Sequence, residues 1–266
     1  MSVSSAFRSV CALVCVSSLV WSSAALAQEQ AGKAESAQEI ARKARDRGSL
    51  NLRDLTAELR LTTSRGDKSK EQVLRTTSRE IGGRGHSLAR FLAPAGVAGV
   101  GVLTVEGEGD EADDITLYLP KLKRTRKVAK TQRGQAFMDT DFSYADLGGV
   151  GGEEKRVKRL GDGKVDGREV YVLEGMGDET SPYGKVTLHV DKETYVPLRV
   201  QYEDKQGKPF KEYRTLKLRK FKDRVLAAES SMKNVQTGSE TKMEILKLED
   251  AQMTDEDFTE RALERG

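Results

Sequence analysis

Beyond its first 27 residues the sequence has no cysteine; the two it contains are Cys11 and Cys15. A product built on the later residues has neither thiol nor disulfide, so it holds together by its core alone, and a Cys–His catalytic pair is excluded. Histidine is nearly as scarce, with His86 in a Gly-rich turn and His189 on a strand, and no G-x-S-x-G elbow occurs. Aromatic residues make up only 6% of the chain. The interior must therefore be filled by Leu, Val, Ala and Met or be left partly hollow. Charge of one sign is also missing: 45 basic side chains face 42 acidic ones, for a net charge of +3. That balance disfavours nucleic acid as a partner, because phosphate binding needs a concentrated basic face.

The start of the chain differs from the rest. Arg8 precedes an apolar run from Val10 to Val20, and Ala25-Leu26-Ala27 has the small-x-small form of a signal-peptidase site. The run is too short to span a membrane and ends in serines and alanines rather than a charged stop. Residues 1–27 are expected to be a signal peptide and 28–35 a flexible segment. Ala12-Leu13-Val14 before Cys15 is too bulky for lipid modification. The expected product is a soluble periplasmic protein, exported but not lipid-anchored.

About 239 residues (266 − 27) remain, expected to form a single domain over 36–266. SAQEIARKARDR, from Ser36, reads as one amphipathic helix with Ser36 as N-cap, Glu39 completing a capping box, and Gly48 as stop. From Leu55 the apolar period changes to two. TAELRLTT, EQVLRTTSREI, HSLARFL, GVGVLTVEG, DDITLYLP, LKRTRKVAK, GREVYVLEGM, YGKVTLHVD, VPLRVQYED, PFKEYRTLKLRKF, RVLAAESSMKNV and SETKMEILKLED are antiparallel strands joined by short turns. In KVTLHV, Val186, Leu188 and Val190 face one way and Lys185, Thr187 and His189 the other. The expected fold is mainly β with minor α: about a dozen strands in an open, curved antiparallel half-barrel, covered by the N-terminal helix and short helices. A fully packed β-sandwich without a cavity fits the same pattern. On unbroken alternation, the apolar lining includes Leu59, Leu61, Leu117 and Leu119. It continues with Val186, Leu188 and Val190, and with Leu198, Val200 and Tyr202.

Chemistry is most concentrated between Leu117 and Leu147. Pro120 ends a strand, and a basic run carries Lys121, Lys123, Arg124, Arg126, Lys127, Lys130 and Arg133. FMDTDFSYADL follows, with Ser143 beginning a short helical turn and Asp139, Asp141 and Asp146 spaced along it. Pairing of these carboxylates with Arg124, Arg126 or Arg133 is the economical expectation, and such pairs are structural. A divalent ion at Asp139-x-Asp141 would need more oxygens and a glycine-permitted loop that the stretch lacks, so no metal is expected. GVAGVGVL reads as a loop leading into a strand rather than a nucleotide loop. GGVGG, from Gly148 to Gly152, reads as a hinge, a lid boundary or an ordinary loop.

Four ordered stretches, YLPKLKRTRKV, FMDTDFSYADL, VTLHVDKETYVPLRVQYEDKQGKPFK, and NVQTGSETKMEI with DEDFTERALER, resemble the LolA-like family of outer-membrane lipoprotein-sorting proteins, in its uncharacterised, exporter-associated branch. The resemblance runs from about Ile40 to Arg265. It implies a half-barrel closed by helices around a cavity that shields acyl chains in the periplasm, with no cofactor and no catalysis. Tyr118, Pro120, Arg124, Arg126 and Phe137 match motif positions, as do Met138, Asp141, Phe142, Tyr144 and Asp146. Asp139 stands where the branch leads one to expect a small residue, and AAESSMKNV lacks the expected bulky apolar residue and proline.

The expected function is a monomeric carrier of lipid or acylated lipoprotein, working with an inner-membrane exporter or an outer-membrane acceptor. A lipid hydrolase using Asp139 and Asp141 with a histidine or serine is one alternative. A non-lipid interaction module serving an exporter is the other.

Overall fold

Alternation of apolar and polar side chains is directly visible as alternation of burial. Along β1 (Leu55–Arg65), Leu55, Ala57, Leu59 and Leu61 are buried while Thr56, Glu58, Arg60 and Thr62 are half-exposed. The computed structural model describes residues 35–47, 52–108, 111–148, 157–177, 179 and 181–265, and the fold is that of the unit Ser36–Gly266. The expected signal peptide, the Gly48 helix stop and most of the GGVGG stretch lie outside the described residues.

Twelve further strands follow: β2 (Lys68–Ile81), β3 (Arg84–Ala93), β4 (Gly101–Val105), β5 (Asp114–Leu119), β6 (Arg124–Lys127), β7 (Val157–Val165), β8 (Arg168–Met176), β9 (Lys185–Asp191), β10 (Pro197–Glu203), β11 (Pro209–Phe221), β12 (Arg224–Asn234) and β13 (Glu240–Asp250). They form one open 13-stranded sheet in the order β6-β5-β4-β3-β2-β1-β13-β12-β11-β10-β9-β8-β7. Every neighbouring pair is antiparallel. Two meanders, β1–β6 and β7–β13, are thus sewn together by the pairing of β1 with β13. The two edges of the sheet among the described residues, β6 and β7, are consecutive strands in the sequence.

Tight hairpins make the meander possible. Gly82 and Gly83 join β2 to β3 at φ 59° and 79°, and Asp166 and Gly167 join β7 to β8 at 47° and 82°. Positive φ at both central residues is the hairpin turn whose twist matches the strands. Register shifts at Glu58/Leu59, Val73/Leu74, Pro197/Arg199 and Thr215/Lys217 add local twist that curls the sheet.

The concave face holds the main core, which joins Leu59 and Leu61 to Val186, Leu188, Val190, Val200, Tyr202 and Tyr213. Helix α1 (Ala37–Arg45) lies on it through Ile40, Ala41 and Ala44, all buried. Its N-terminus carries the expected capping box: Glu39 N–H donates to Ser36 Oγ at 3.2 Å and Ser36 N–H to Glu39 Oε2 at 2.9 Å. The C-terminal helix α2 (Glu260–Arg265) covers a second cluster of Leu103, Phe258 and Leu263, with Leu88, Val105 and Tyr118 half-buried beside it. Adjacent residues Val102 and Leu103 of β4 point into different clusters, so this strand is apolar on both faces. Gly101 lets the helix approach: a Cβ there would sit 2.6 Å from Leu263 Cδ1.

Three strand expectations need correction. β7 is absent from the periodicity reading, because Gly161, Gly163 and its charges erase the period-two signal. The basic strand is shorter than LKRTRKVAK, since Leu122 closes a 3₁₀ turn at Pro120–Leu122 and Lys123 takes φ 49°. Leu198 does not join the main core: the register slips between Pro197 and Arg199, and Leu198 packs with Val170, Val196 and Ala227 in a separate cluster.

Candidate functional site

The chain beyond β6, as far as Gly148, runs back across the concave face as a strap. After β6 it makes a 3₁₀ turn at Lys130–Gln132, a bridge between Ala136 and Ser143, and a second 3₁₀ turn at Tyr144–Gly148. FMDTDFSYADL is therefore a small β-hairpin of its own. Phe137 N–H donates to Phe142 O at 2.7 Å and Thr140 N–H to Phe137 O at 2.9 Å. Met138 and Asp139 at its tip take φ 49° and 64°, a conformation that Asp adopts more readily than most residues and Met does not.

Below the hairpin, Phe137 and Phe142 are at most 1% exposed. Phe137 lies 5.5 Å from the Phe91 ring and 5.8 Å from Tyr144, the latter edge-on. These aromatics and Leu147 belong to the same core as Leu59 and Leu61 of β1 and Val186, Leu188 and Val190 of β9.

Above the aliphatic floor the inward positions turn polar, and there the strap is latched by its three carboxylates. Asp139, at the exposed tip, pairs with Lys70 Nζ at 3.0 Å, and its carbonyl accepts from Arg65 Nη2 at 2.8 Å. The hydrogen bond and charge of Lys70 hold the Asp139 carboxyl below its ordinary pKa. Asp141 is buried; its carboxylate accepts from Ser239 Oγ and, at 2.8 Å, from Thr241 Oγ1, and its N–H donates to Thr241 Oγ1 at 2.9 Å. Asp146 is 1% exposed. It accepts from Ser143 N–H at 2.7 Å, Ser143 Oγ at 2.8 Å and Tyr183 Oη at 2.8 Å, and lies 3.6 Å from Lys211 Nζ. Burial, reinforced by the Asp146 charge, pushes the Tyr183 phenol well above its ordinary pKa.

The expected arginine partners are thus overturned. Arg124 and Arg126 are exposed, and Arg133 donates to the Asp113 carbonyl. Hydroxyls and lysines from distant strands take their place. The carboxylates also bind separate partners rather than converging on a common point. His86 Nδ1 lies 3.1 Å from Arg84 O, and His189 projects from β9.

Of the other positions read from the sequence, Leu117 joins the main core and Leu119 is half-buried outside it. Tyr118 packs toward α2, and Pro120 opens the 3₁₀ turn. Sequence reasoning missed Tyr183, Lys211, Ser239 and Thr241. Lys211 left a signal, being in phase with the inward Tyr213 on β11.

Two of the cavities among the described residues touch the strap. One of about 570 Å³ is lined by Arg65, Ala136, Asp141, Phe210, Lys211 and Asn234, among others. The other, of about 20 Å³, lies among Leu74, Val102, Phe137 and Leu147. The smaller is about the size of one water.

An open, curled sheet with an apolar concave face, crossed by a strap, is the LolA-like fold. A family model described only as that of an uncharacterised protein matches residues 83–265, well over half the chain. The chain belongs to that family. A structure from Vibrio parahaemolyticus, described as an outer membrane lipoprotein-sorting protein domain, is 29% identical, with 86% of this chain and 98% of that one covered and a TM-score of 0.77. A DUF1329 family protein from Desulfovibrio piger is 24% identical over 85% and 97%, with a TM-score of 0.76. A LolA superfamily protein from Nitrosomonas europaea is 18% identical over 85% and 98%, with a TM-score of 0.67. The last two are similar in fold. No curated protein matches the sequence.

Proposed function

We propose that this protein is a periplasmic carrier that shields the acyl chains of a lipid or lipoprotein against its concave face, receiving or delivering cargo with an envelope exporter or an outer-membrane acceptor. The observation that supports it is the way the strap covers that face. Its apolar side chains fill the floor, yet its polar attachments are side-chain latches at Asp139, Asp141 and Asp146. An acyl chain entering beneath it replaces one apolar filling by another. Burying about ten methylenes gains about 8 kcal/mol, from which ordering costs are subtracted.

The test is native mass spectrometry with lipid extraction on protein purified without detergent. Bound lipid near one per chain is the expected result. An empty protein that also refuses a fluorescent fatty acid sinks the carrier reading. A second reading, an interaction module without lipid, has its own support: Leu59, Val190, Val200 and Phe142 are already fully buried, and the empty protein is what it expects.

A further inference from the structure

From Ile115 to Met138 the chain contains no aspartate or glutamate, although a third of all its residues are charged. This stretch includes β6, an edge of the sheet among the described residues. Lys121, Lys123, Arg124, Arg126, Lys127 and Lys130 are all exposed. Among the described residues none of the six forms an ion pair, whereas two of the three cations of the other edge strand do: Lys158 lies 2.8 Å from Glu174 and Arg159 2.5 Å from Asp162. Leu122 stands 55% exposed between Lys121 and Lys123.

Lysines on an edge strand guard against edge-to-edge pairing. That role needs charge but not one uncompensated sign: β7, which also carries an exposed leucine, Leu160, meets it with Lys158 and Arg159 paired to carboxylates. Register gives the patch a direction. Arg126 pairs with Leu117 and Arg124 with Leu119, so the two arginines share the face of Leu117, which belongs to the concave core.

We infer that the β6 edge, with the Pro120–Leu122 turn, is a docking surface for an anionic lipid bilayer. Uncompensated cations attract anionic headgroups. Leu122 can enter the interface while the flanking lysines extend their ammonium groups to the headgroups. Nucleic acid fits less well, since no aromatic side chain lies between Pro120 and Gln135 to stack on bases. The inference stands whether or not the concave face carries lipid.

The experiment is co-sedimentation of the full chain with vesicles of phosphatidylcholine, with and without phosphatidylglycerol. Two triple variants of equal charge change are compared: Lys121→Gln/Lys123→Gln/Lys127→Gln at the edge, and Lys217→Gln/Lys242→Gln/Lys247→Gln elsewhere. Binding is expected only with phosphatidylglycerol, weakened about 100-fold by the edge triple and little changed by the other. Leu122→Ser is expected to weaken binding at unchanged charge. Equal losses from both triples, absence of binding to phosphatidylglycerol vesicles, or tighter binding to polyglutamate or heparin with Leu122→Ser neutral overturns the inference. Circular dichroism of each variant establishes that a loss is not unfolding.

Discussion

Lys211 Nζ lies 3.6 Å from Asp146 with the two side chains 5% and 1% exposed, so a strand of the sheet and the strap across it share an ion pair shut off from water. Tyr183 touches both partners, accepting from Lys211 at 3.3 Å and donating to Asp146. Removing one member of such a pair strands the other, and about 3–5 kcal/mol is the usual loss. Asp146→Ala is expected to lower stability by that much in urea unfolding. Lys211→Met is expected to lose less, because Asp146 keeps Ser143 and Tyr183. Equal losses would show that the hydroxyl contacts contribute little.

Asp141 tests the middle latch. Asp141→Asn preserves shape but turns one acceptor into a donor facing Ser239 or Thr241. A loss of about 1–3 kcal/mol follows from one mismatched buried group. On the carrier reading, uptake of a fluorescent fatty acid also quickens. A hydrolase built on this residue would instead lose turnover with its stability intact.

His189 gives a pH dependence. Burial, then the nearby Arg199 charge, lowers its pKa from 6.5, and its buried Nδ1 has no hydrogen-bond partner among the described residues. The folded form therefore binds fewer protons than the unfolded chain between the folded value and 6.5. Stability contributed by the neutral ring is complete above 6.5 and declines as pH falls through that window. His189→Gln is expected to flatten this part of the stability profile; an unchanged slope assigns it to other groups.

The C-terminal helix offers a packing test. Gly101→Ala puts a methyl group against Leu263 and is expected to cost about 1–3 kcal/mol. Leu263→Ala empties a buried site and costs about 2–5 kcal/mol. Combined, the losses should fall short of their sum, because the added methyl occupies space that the leucine vacates. Strict additivity by thermal unfolding would mean that the two sites do not meet.

Much of the fold was legible because a half-buried strand writes its burial into alternation, as β1 and β9 do. The capping box at Ser36 and Glu39 is equally local. β7 was hidden because its glycines carry no side chain to alternate, though Asp166-Gly167 marks its turn. The site was harder. Nearness in sequence favoured arginine partners for the strap carboxylates, but Thr241 lies 100 residues from Asp141 and Lys70 lies 69 from Asp139. No local pattern records those meetings. Leu198 was misplaced because one register slip reverses which face a residue occupies.

The pairing of β1 with β13 has a consequence for how the molecule is made. Each meander pairs neighbours as it grows, but the seam between them joins Leu55 to Asp250. Contacts of such separation are slow to form because the whole intervening chain must first be gathered. The centre of the sheet is therefore the last part that synthesis can supply. A chain cut at Val235 would carry two raw strand edges in its middle, where the finished protein has none.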